Sequence, residues 1–288
     1  MKIFLPLLIA ALLMGSPVRA ANWKGTSDAA VSLPSAAVNR LENKPDKSAE
    51  EISALTIIFY REFQKTKLKK LFIDYEKKMP DEPVIKLLQG MVLMWDHRRE
   101  ESRAVLAGLI AAHPDFYPAH VVLAHLDYLK KDFDRSYERA RWLIARKNEL
   151  SRFHFVVSLL VASGAKGILA RRNLATAIPA YFEVNGYLKE AQKQMPEAAE
   201  VLYAVGTYRL LTPSIAGGDL DRAIALLEKS RQMTPQNPGV YVRLAQAYRA
   251  KGLHVVARRH LDLAREIDEH DELLQDNLSD EKIFLDAP

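Results

Sequence analysis

Residues 238–252 read PGVYVRLAQAYRAKG, and this stretch decides the fold prediction. Its apolar residues recur at helical spacing, the small residue Ala245 lies near the middle, and Gly252 marks a turn. A second segment follows in which the small Ala257 precedes the bulky Leu261 by four positions. Small residues let two helix axes approach closely, so the stretch predicts a pair of antiparallel helices.

The same spacing recurs earlier in the chain. Pro80 and Pro114 are 34 residues apart, and each is followed within four residues by a second proline. This period places small residues at equivalent points of four helix pairs, namely Gly90, Ala124, Gly206 and Ala245 in the first helices and Ser102, Ser136, Ala223 and Ala257 in the second helices. No run shows the alternation of a half-buried strand. The sequence therefore predicts an all-α antiparallel helix-pair solenoid of about five to six units.

The period is interrupted twice. Pro196 and Pro235 are 39 residues apart, five more than 34, and the surplus falls in an enlarged turn over residues 211–219 that contains Gly217 and Gly218. We interpret the Asp that follows these glycines as a helix cap, with an anion site as the less favoured alternative.

The second interruption precedes this turn. Pro114 and Pro196 are 82 residues apart, 14 more than two repeats, which predicts an irregular helical unit over about residues 149–195. The glycines within residues 164–167 predict a helix break there rather than a phosphate-binding loop.

Residues 238–252 and the helix that follows resemble the tetratricopeptide repeat consensus. The matching features are the Leu244–Ala245 pair, the aromatic Tyr248 and the turn Gly252. The 34-residue spacing is the period of that family. The resemblance implies a non-catalytic scaffold that binds a protein partner.

A narrower resemblance covers residues 206–235. Its residues are Gly206, Tyr208, Pro213, Gly217, Gly218, Asp219, Ala223 and Pro235. They are similar to secreted helical-repeat proteins that include the T-component associated with TRAP-type solute transporters. This resemblance implies an alternative function, that of a transport accessory protein that binds a solute-binding partner.

The N-terminus predicts export. Lys2 precedes an apolar run and then the small-residue end Val18-Arg19-Ala20, which is typical of a signal peptide over residues 1–20 that is cut after Ala20. We therefore expect a periplasmic or secreted protein with no stable membrane span after cleavage, and a retained anchor is the alternative. The chain has no Cys, so its stability in such a compartment depends on a packed core.

The remaining segments follow from composition. Residues 21–47 lack a sustained apolar period and predict a flexible leader. Ser48 and Glu51 form a capping-box pattern at the start of a repeat domain over residues 48–268. Residues 269–288 are predominantly acidic and predict a solvated tail, although folding back onto a basic face is an alternative.

The sequence offers little catalytic chemistry. The absence of Cys excludes thiol nucleophiles and thiolate metal sites. His120 and His125 are five residues apart, a spacing that does not place two imidazoles on one helix face. Short basic runs are interleaved with acids and do not indicate nucleic-acid binding. We therefore expect no enzyme activity, no metal site and no cofactor.

In a repeat array the first helices line the concave face. The side chains predicted to form a partner or ligand groove there are Met91, Met94, Trp95, His125, Tyr128, Tyr203, Gln246 and Arg249. Most of the groove is apolar and only its last unit is polar, which suits an amphipathic helix of a protein partner or a hydrophobic small molecule. The alternative is that residues 151–195 or 22–47 of the chain itself fill the groove.

Overall fold

The computed structural model describes residues 23–172 and 177–285, and the predicted signal peptide lies outside this part of the chain. The described residues form helices and no strand, which confirms the all-α prediction. In chain order the helices are α1 Trp23–Ala30, α2 Ser35–Asn43, α3 Ala49–Arg61, α4 Lys65–Tyr75, α5 Pro83–Trp95, α6 Arg99–Ala112, α7 Tyr117–Leu129, α8 Phe133–Ile144, α9 Arg152–Arg172, α10 Ala177–Gln194, α11 Ala199–Leu211, α12 Leu220–Met233, α13 Pro238–Ala250, α14 His254–Ile267 and α15 Glu272–Leu285.

The chain divides into two compact units, unit 1 up to Tyr187 and unit 2 from Leu188. In unit 1 the helix pairs are α3 with α4, α5 with α6, and α7 with α8, and α9 packs on α7 and α8. In unit 2 the pairs are α11 with α12 and α13 with α14, and α15 packs on the second pair. The helix-pair architecture predicted from the 34-residue period is therefore present in both units.

Small residues bring the paired helices together. A Cβ atom on Gly90 would lie 2.7 Å from the side chain of Leu106, and one on Gly206 would lie 2.9 Å from that of Leu227. The hydroxyl of Ser102 also donates a hydrogen bond of 2.7 Å to the Gly90 carbonyl. These positions need small residues because the helix axes approach closely at them.

The N-terminal segment differs from its prediction. Residues 21–47 were expected to be a flexible leader, but most of them form α1 and α2. The buried residues of α1 are Thr26, Ser27, Ala29 and Ala30. Such small side chains give no apolar period in the sequence, so the helix depends on tertiary contact with α3 and α9.

The irregular unit also differs. The predicted break over residues 164–167 is wrong, because α9 runs through it without interruption. Gly164 lies against the ring of Tyr128, where a Cβ atom would come within 3.1 Å, so this glycine permits close packing instead of ending the helix. The stretch Arg152–Arg171 is long and apolar enough to cross a membrane, but more than half of its most apolar part is buried in the fold, as in a core helix.

The enlarged turn is a compact structure. Gly217 has a positive φ of 88°, and the N–H of Gly218 donates to the Pro213 carbonyl at 3.0 Å. A Cβ atom on Gly218 would lie 1.8 Å from the Thr212 carbonyl oxygen, so only glycine fits there. Asp219 accepts a 2.9 Å hydrogen bond from the backbone N–H of Arg222 and caps α12, as the sequence predicts.

The acidic C-terminal segment is helical over most of its length. Leu274 and Asn277 of α15 are buried, and Leu274 joins the core formed by α13 and α14. The expectation of a solvated tail is therefore wrong for this helix, since its apolar side covers the last helix pair.

Candidate partner-binding faces

The face of unit 1 predicted to be a groove is closed. Met91 and Met94 are buried within the helix packing and do not line a surface, so their assignment to a groove is wrong. Their spacing on α5 fits either a groove or a core, and the neighbouring first helices α3 and α7 decide the outcome.

Trp95 and His125 belong to an aromatic cluster centred on Tyr60 of α3. The Trp95 ring stacks on the Tyr60 ring with centroids 5.6 Å apart, and it also stacks on Phe63 at 6.2 Å. The Tyr60 hydroxyl shares a 2.8 Å hydrogen bond with His125 Nδ1, and its ring meets Phe153 of α9 edge-on at 6.5 Å. The first helices of unit 1 thus contact one another through these side chains. Phe153, from the irregular unit, also fills part of the predicted groove.

Burial in this cluster changes the chemistry of its histidine. Burial, aided by the nearby positive charge of Arg99, lowers the pKa of His125 to about 4. The ring is therefore neutral near pH 7 and acts as a hydrogen-bond partner of Tyr60. Tyr128, also predicted for the groove, meets Phe133 edge-on at 5.4 Å and covers Gly164. These contacts fill the predicted groove on α3, α5 and α7 with the chain's own side chains.

Helix α1, which lies within the segment 22–47 of the alternative prediction, also packs on unit 1. Trp23 packs against Phe116, Tyr117 and His154, with ring centroids 5.5 to 6.4 Å apart. One helical turn later, Asp28 Oδ1 accepts a 2.7 Å hydrogen bond from the backbone N–H of Arg152.

The Asp28 carboxylate caps the N-terminus of α9 from 124 residues away in the sequence. Burial raises the pKa of Asp28, although the bond to Arg152 opposes the shift. A lone Trp in a Ser- and Ala-rich segment was the one sequence signal for this docking.

The corresponding face of unit 2 remains accessible. Tyr203 of α11 and Gln246 and Arg249 of α13 are all half-buried. The Gln246 side-chain oxygen accepts a 2.8 Å hydrogen bond from Arg243 Nη1. Tyr203 lies over Gly239, where a Cβ atom would come within 3.1 Å of the tyrosine hydroxyl. The predicted polar end of the groove is thus a polar and aromatic surface on α11 and α13.

Two further residues of this surface carry hydrogen-bonding capacity. Among the described residues, neither Thr207 Oγ1 nor Arg243 Nε has a hydrogen-bond partner, although both atoms are buried. Such atoms favour a ligand that supplies oxygen acceptors. We call Tyr203, Thr207, Arg243, Gln246 and Arg249 the unit 2 face. Sequence reasoning missed Arg243, although it lies one helical turn from Gly239 and three residues from Gln246.

The histidines do not form a metal site. His120 Nε2 lies 2.9 Å from the Pro114 carbonyl oxygen, whereas His125 faces Tyr60. Within residues 23–172 and 177–285, no group of three or more His, Asp or Glu side chains could hold a metal ion. The two rings therefore have separate structural partners.

Known proteins share this architecture. A family model described as tetratricopeptide repeat matches residues 214–278. The thermophilic TPR protein TTC0263 of Thermus thermophilus has 22% identity over 67% of this chain and 96% of its own, with a TM-score of 0.55. A tetratricopeptide repeat protein from Parabacteroides merdae has 14% identity over 90% of this chain and 97% of its own, with a TM-score of 0.52. No curated protein matches the sequence.

These similarities concern the fold alone and do not test a role in transport. The resemblance of residues 206–235 to the T-component group therefore stays a prediction. The family match covers most of the enlarged turn, α12, the pair α13 and α14, and the start of α15. The helix pairs of both units thus have the fold of the tetratricopeptide repeat proteins named above.

Proposed function

We propose that this protein is a non-catalytic scaffold, periplasmic or secreted, that binds a protein partner through the unit 2 face. The observation that carries the proposal is the contrast between the two sets of first helices. The face of unit 1 is filled by the chain's own aromatic side chains, whereas the unit 2 face keeps half-buried polar groups. Stacked helix pairs commonly use such faces as extended binding surfaces.

The chemistry of the unit 2 face indicates the kind of partner segment. Arg243 and Arg249 supply guanidinium donors, and Tyr203 and Thr207 supply hydroxyls. Guanidinium groups form their strongest hydrogen bonds with carboxylates. The proposed ligand is therefore a peptide segment rich in carboxylate or carbonyl oxygens, and the apolar helix suggested by the predicted groove fits less well.

Export is a separate part of the proposal and rests on the sequence alone. The apolar run of the first residues and the small-residue end at Ala20 are its support. N-terminal sequencing of the protein recovered from the periplasm or medium is expected to begin at Ala21. A sequence that begins at Met1 would favour the retained anchor over cleavage, whereas recovery only from the cytoplasm would contradict export and leave the binding proposal standing.

The binding proposal is tested by capture from an extract of the same compartment. Wild type and the double variant Gln246→Ala/Arg249→Ala are immobilised at equal density, and the captured proteins are identified and quantified. We expect one partner to be retained by wild type and reduced at least about tenfold by the double variant, the effect of about 1.4 kcal/mol of lost binding. Arg135→Ala on α8 is the matched control, because Arg135 is an exposed arginine outside this face. Equal capture by all three proteins would overturn the unit 2 face as the binding site.

A further inference from the structure

The second helices of the repeats differ at their first turn. Five of them have a described start, and four of these carry polar or charged residues at the cap and at the second and third helical positions. The four sets are Gln64, Thr66 and Lys67; Arg98, Glu100 and Glu101; Asp132, Asp134 and Arg135; and Asp219, Asp221 and Arg222. In α14 the same three positions are Leu253, Val255 and Val256. One repeat therefore replaces polar residues by aliphatic ones at all three positions.

These aliphatic side chains are not part of the core. Val255 is 86% exposed, Leu253 is 47% exposed and Val256 is 36% exposed. The buried side of α14 is formed instead by Ala257, Leu261 and other residues of the pair core.

Helix chemistry does not explain the three residues either. Leu253 makes no side-chain hydrogen bond at the cap, where Ser, Thr, Asp or Asn would stabilise the helix. A β-branched residue is also a weaker helix former than most polar ones. Aliphatic residues at these positions are unfavourable both in water and at the start of a helix. Their presence indicates a surface that another molecule covers.

The charged residues nearest this turn on its own helix are positive, and the first acidic residue after them is Asp262. Residues 251–261 contain three Lys or Arg residues and no Asp or Glu. Arg258 and Arg259 lie three and four residues after Val255, so they share its side of the helix. Both are exposed, and neither forms an ion pair with any described residue. Lys251 is paired with Asp221 of α12 and joins the same edge of unit 2.

We propose that the first turn of α14 docks the protein on an anionic lipid surface. Leu253, Val255 and Val256 enter the boundary between headgroups and acyl chains, while Arg258 and Arg259 bind lipid phosphates. The exposed aliphatic residues suit the acyl chains of such a surface, and the arginines without ion pairs suit its phosphates. Leu and Val are under-represented among the residues that dominate protein interfaces, whereas this turn exposes one Leu and two Val residues. The contact is superficial and needs no helix that crosses the membrane.

This inference is independent of the proposed partner binding. The unit 2 face lies on α11 and α13, the first helices of their pairs, whereas the lipid-binding turn lies on a second helix. A failure of one therefore leaves the other untouched.

The test is flotation of the full chain with two kinds of vesicle. One is phosphatidylcholine alone, and the other contains about 30% phosphatidylglycerol to supply negative surface charge. We expect binding to the anionic vesicles only, and a decrease in binding when salt rises from about 0.05 M to about 0.5 M, because salt screens the arginine–phosphate attraction.

Variants separate the apolar and the charged contributions. Val255→Asp and the pair Arg258→Glu/Arg259→Glu are each expected to lower the bound fraction at least about tenfold, since one charge near such a surface is worth about a factor of five and reversal counts twice. Met233→Asp and Lys229→Glu are the controls, because they change an exposed apolar residue and an exposed lysine on α12. Unchanged far-UV circular dichroism shows that each variant is folded.

Three results would overturn the proposal. The first is no binding to anionic vesicles at low salt. The second is equal loss in the test and control variants, which would indicate nonspecific adsorption. The third is retention of a protein partner that depends on Val255 while vesicle binding does not, which would make the turn a protein interface.

Discussion

The first helices of the two units have equivalent positions, but the side chains that cover these positions differ between the units. In unit 1, Tyr60 reaches from α3 to Trp95, His125 and Phe153, so side chains of four helices close the face. In unit 2, Tyr203 lies on Gly239, and Gln246 and Arg249 stay half-buried. At equivalent repeat positions Met91 and Met94 are buried, whereas Gln246 and Arg249 are half-buried, because neighbouring pairs, and not the repeat itself, decide what covers a position.

The largest effect that tests this contrast is a loss of stability in unit 1. Trp95→Ala is expected to lower the free energy of unfolding by about 3 kcal/mol, because a stacked aromatic side chain is lost from a packed cluster. Urea unfolding followed by circular dichroism measures it. Phe182→Ala is the matched control, since Phe182 is 67% exposed and should change stability by less than about 0.5 kcal/mol. A small loss for Trp95→Ala would show that the face of unit 1 is open.

Acid should weaken the same unit. Burial lowers the pKa of His125 to about 4 and that of His154 to about 3, from an ordinary value of 6.5. Between pH 6.5 and about 4 the unfolded chain therefore binds more protons than the folded one, and stability falls as the pH falls. Each histidine should contribute up to about 1.4 kcal/mol per pH unit in this window.

Unfolding in urea at several pH values measures that slope. His125→Gln keeps a polar side chain beside Tyr60 and removes the titrating group, so the slope should decrease by the share of one histidine. An identical slope in wild type and variant would mean that the ring is solvated, and the closure around Tyr60 would then be wrong.

A smaller effect tests what the two units have in common. Gly90→Ala and Gly206→Ala should each cost about 1 to 2 kcal/mol, because the new Cβ atom would lie under 3.0 Å from a fully buried leucine on the paired helix. Gly108→Ala on α6 is the control. Its Cβ atom would meet nothing within 4 Å, so the better helix propensity of Ala should stabilise the protein by about 0.5 to 1 kcal/mol. Gain of stability at Gly90 or Gly206 would contradict the close helix approach.

The sequence predicts the features that lie within one repeat. The prolines spaced by 34 residues, the small residues at Gly90 and Gly206, and the cap at Asp219 all act through residues close in sequence or through the paired helix. These features repeat, so each occurrence supports the others.

Contacts between distant repeats could not be predicted in this way. Tyr60 and His125 are 65 residues apart, and Asp28 and Arg152 are 124 apart. Their meeting depends on the angle between successive pairs, which no single repeat encodes. For the same reason Met91 and Met94 fitted a groove as well as a core, and the small side chains of α1 gave no sign that they would be buried.

The smallest expected effect concerns the unit 2 face. Gln246→Ala/Arg249→Ala should change the free energy of unfolding by less than about 1 kcal/mol in total, since both side chains are half-buried and neither fills the core of the pair α13 and α14. Urea unfolding of the same protein used for partner capture provides the measurement. A loss of several kcal/mol would show that these residues support the fold as Trp95 does, and the contrast between the two units would disappear. A small loss of stability together with lost capture would assign the two residues to binding, because residues that support the fold would lower both stability and capture.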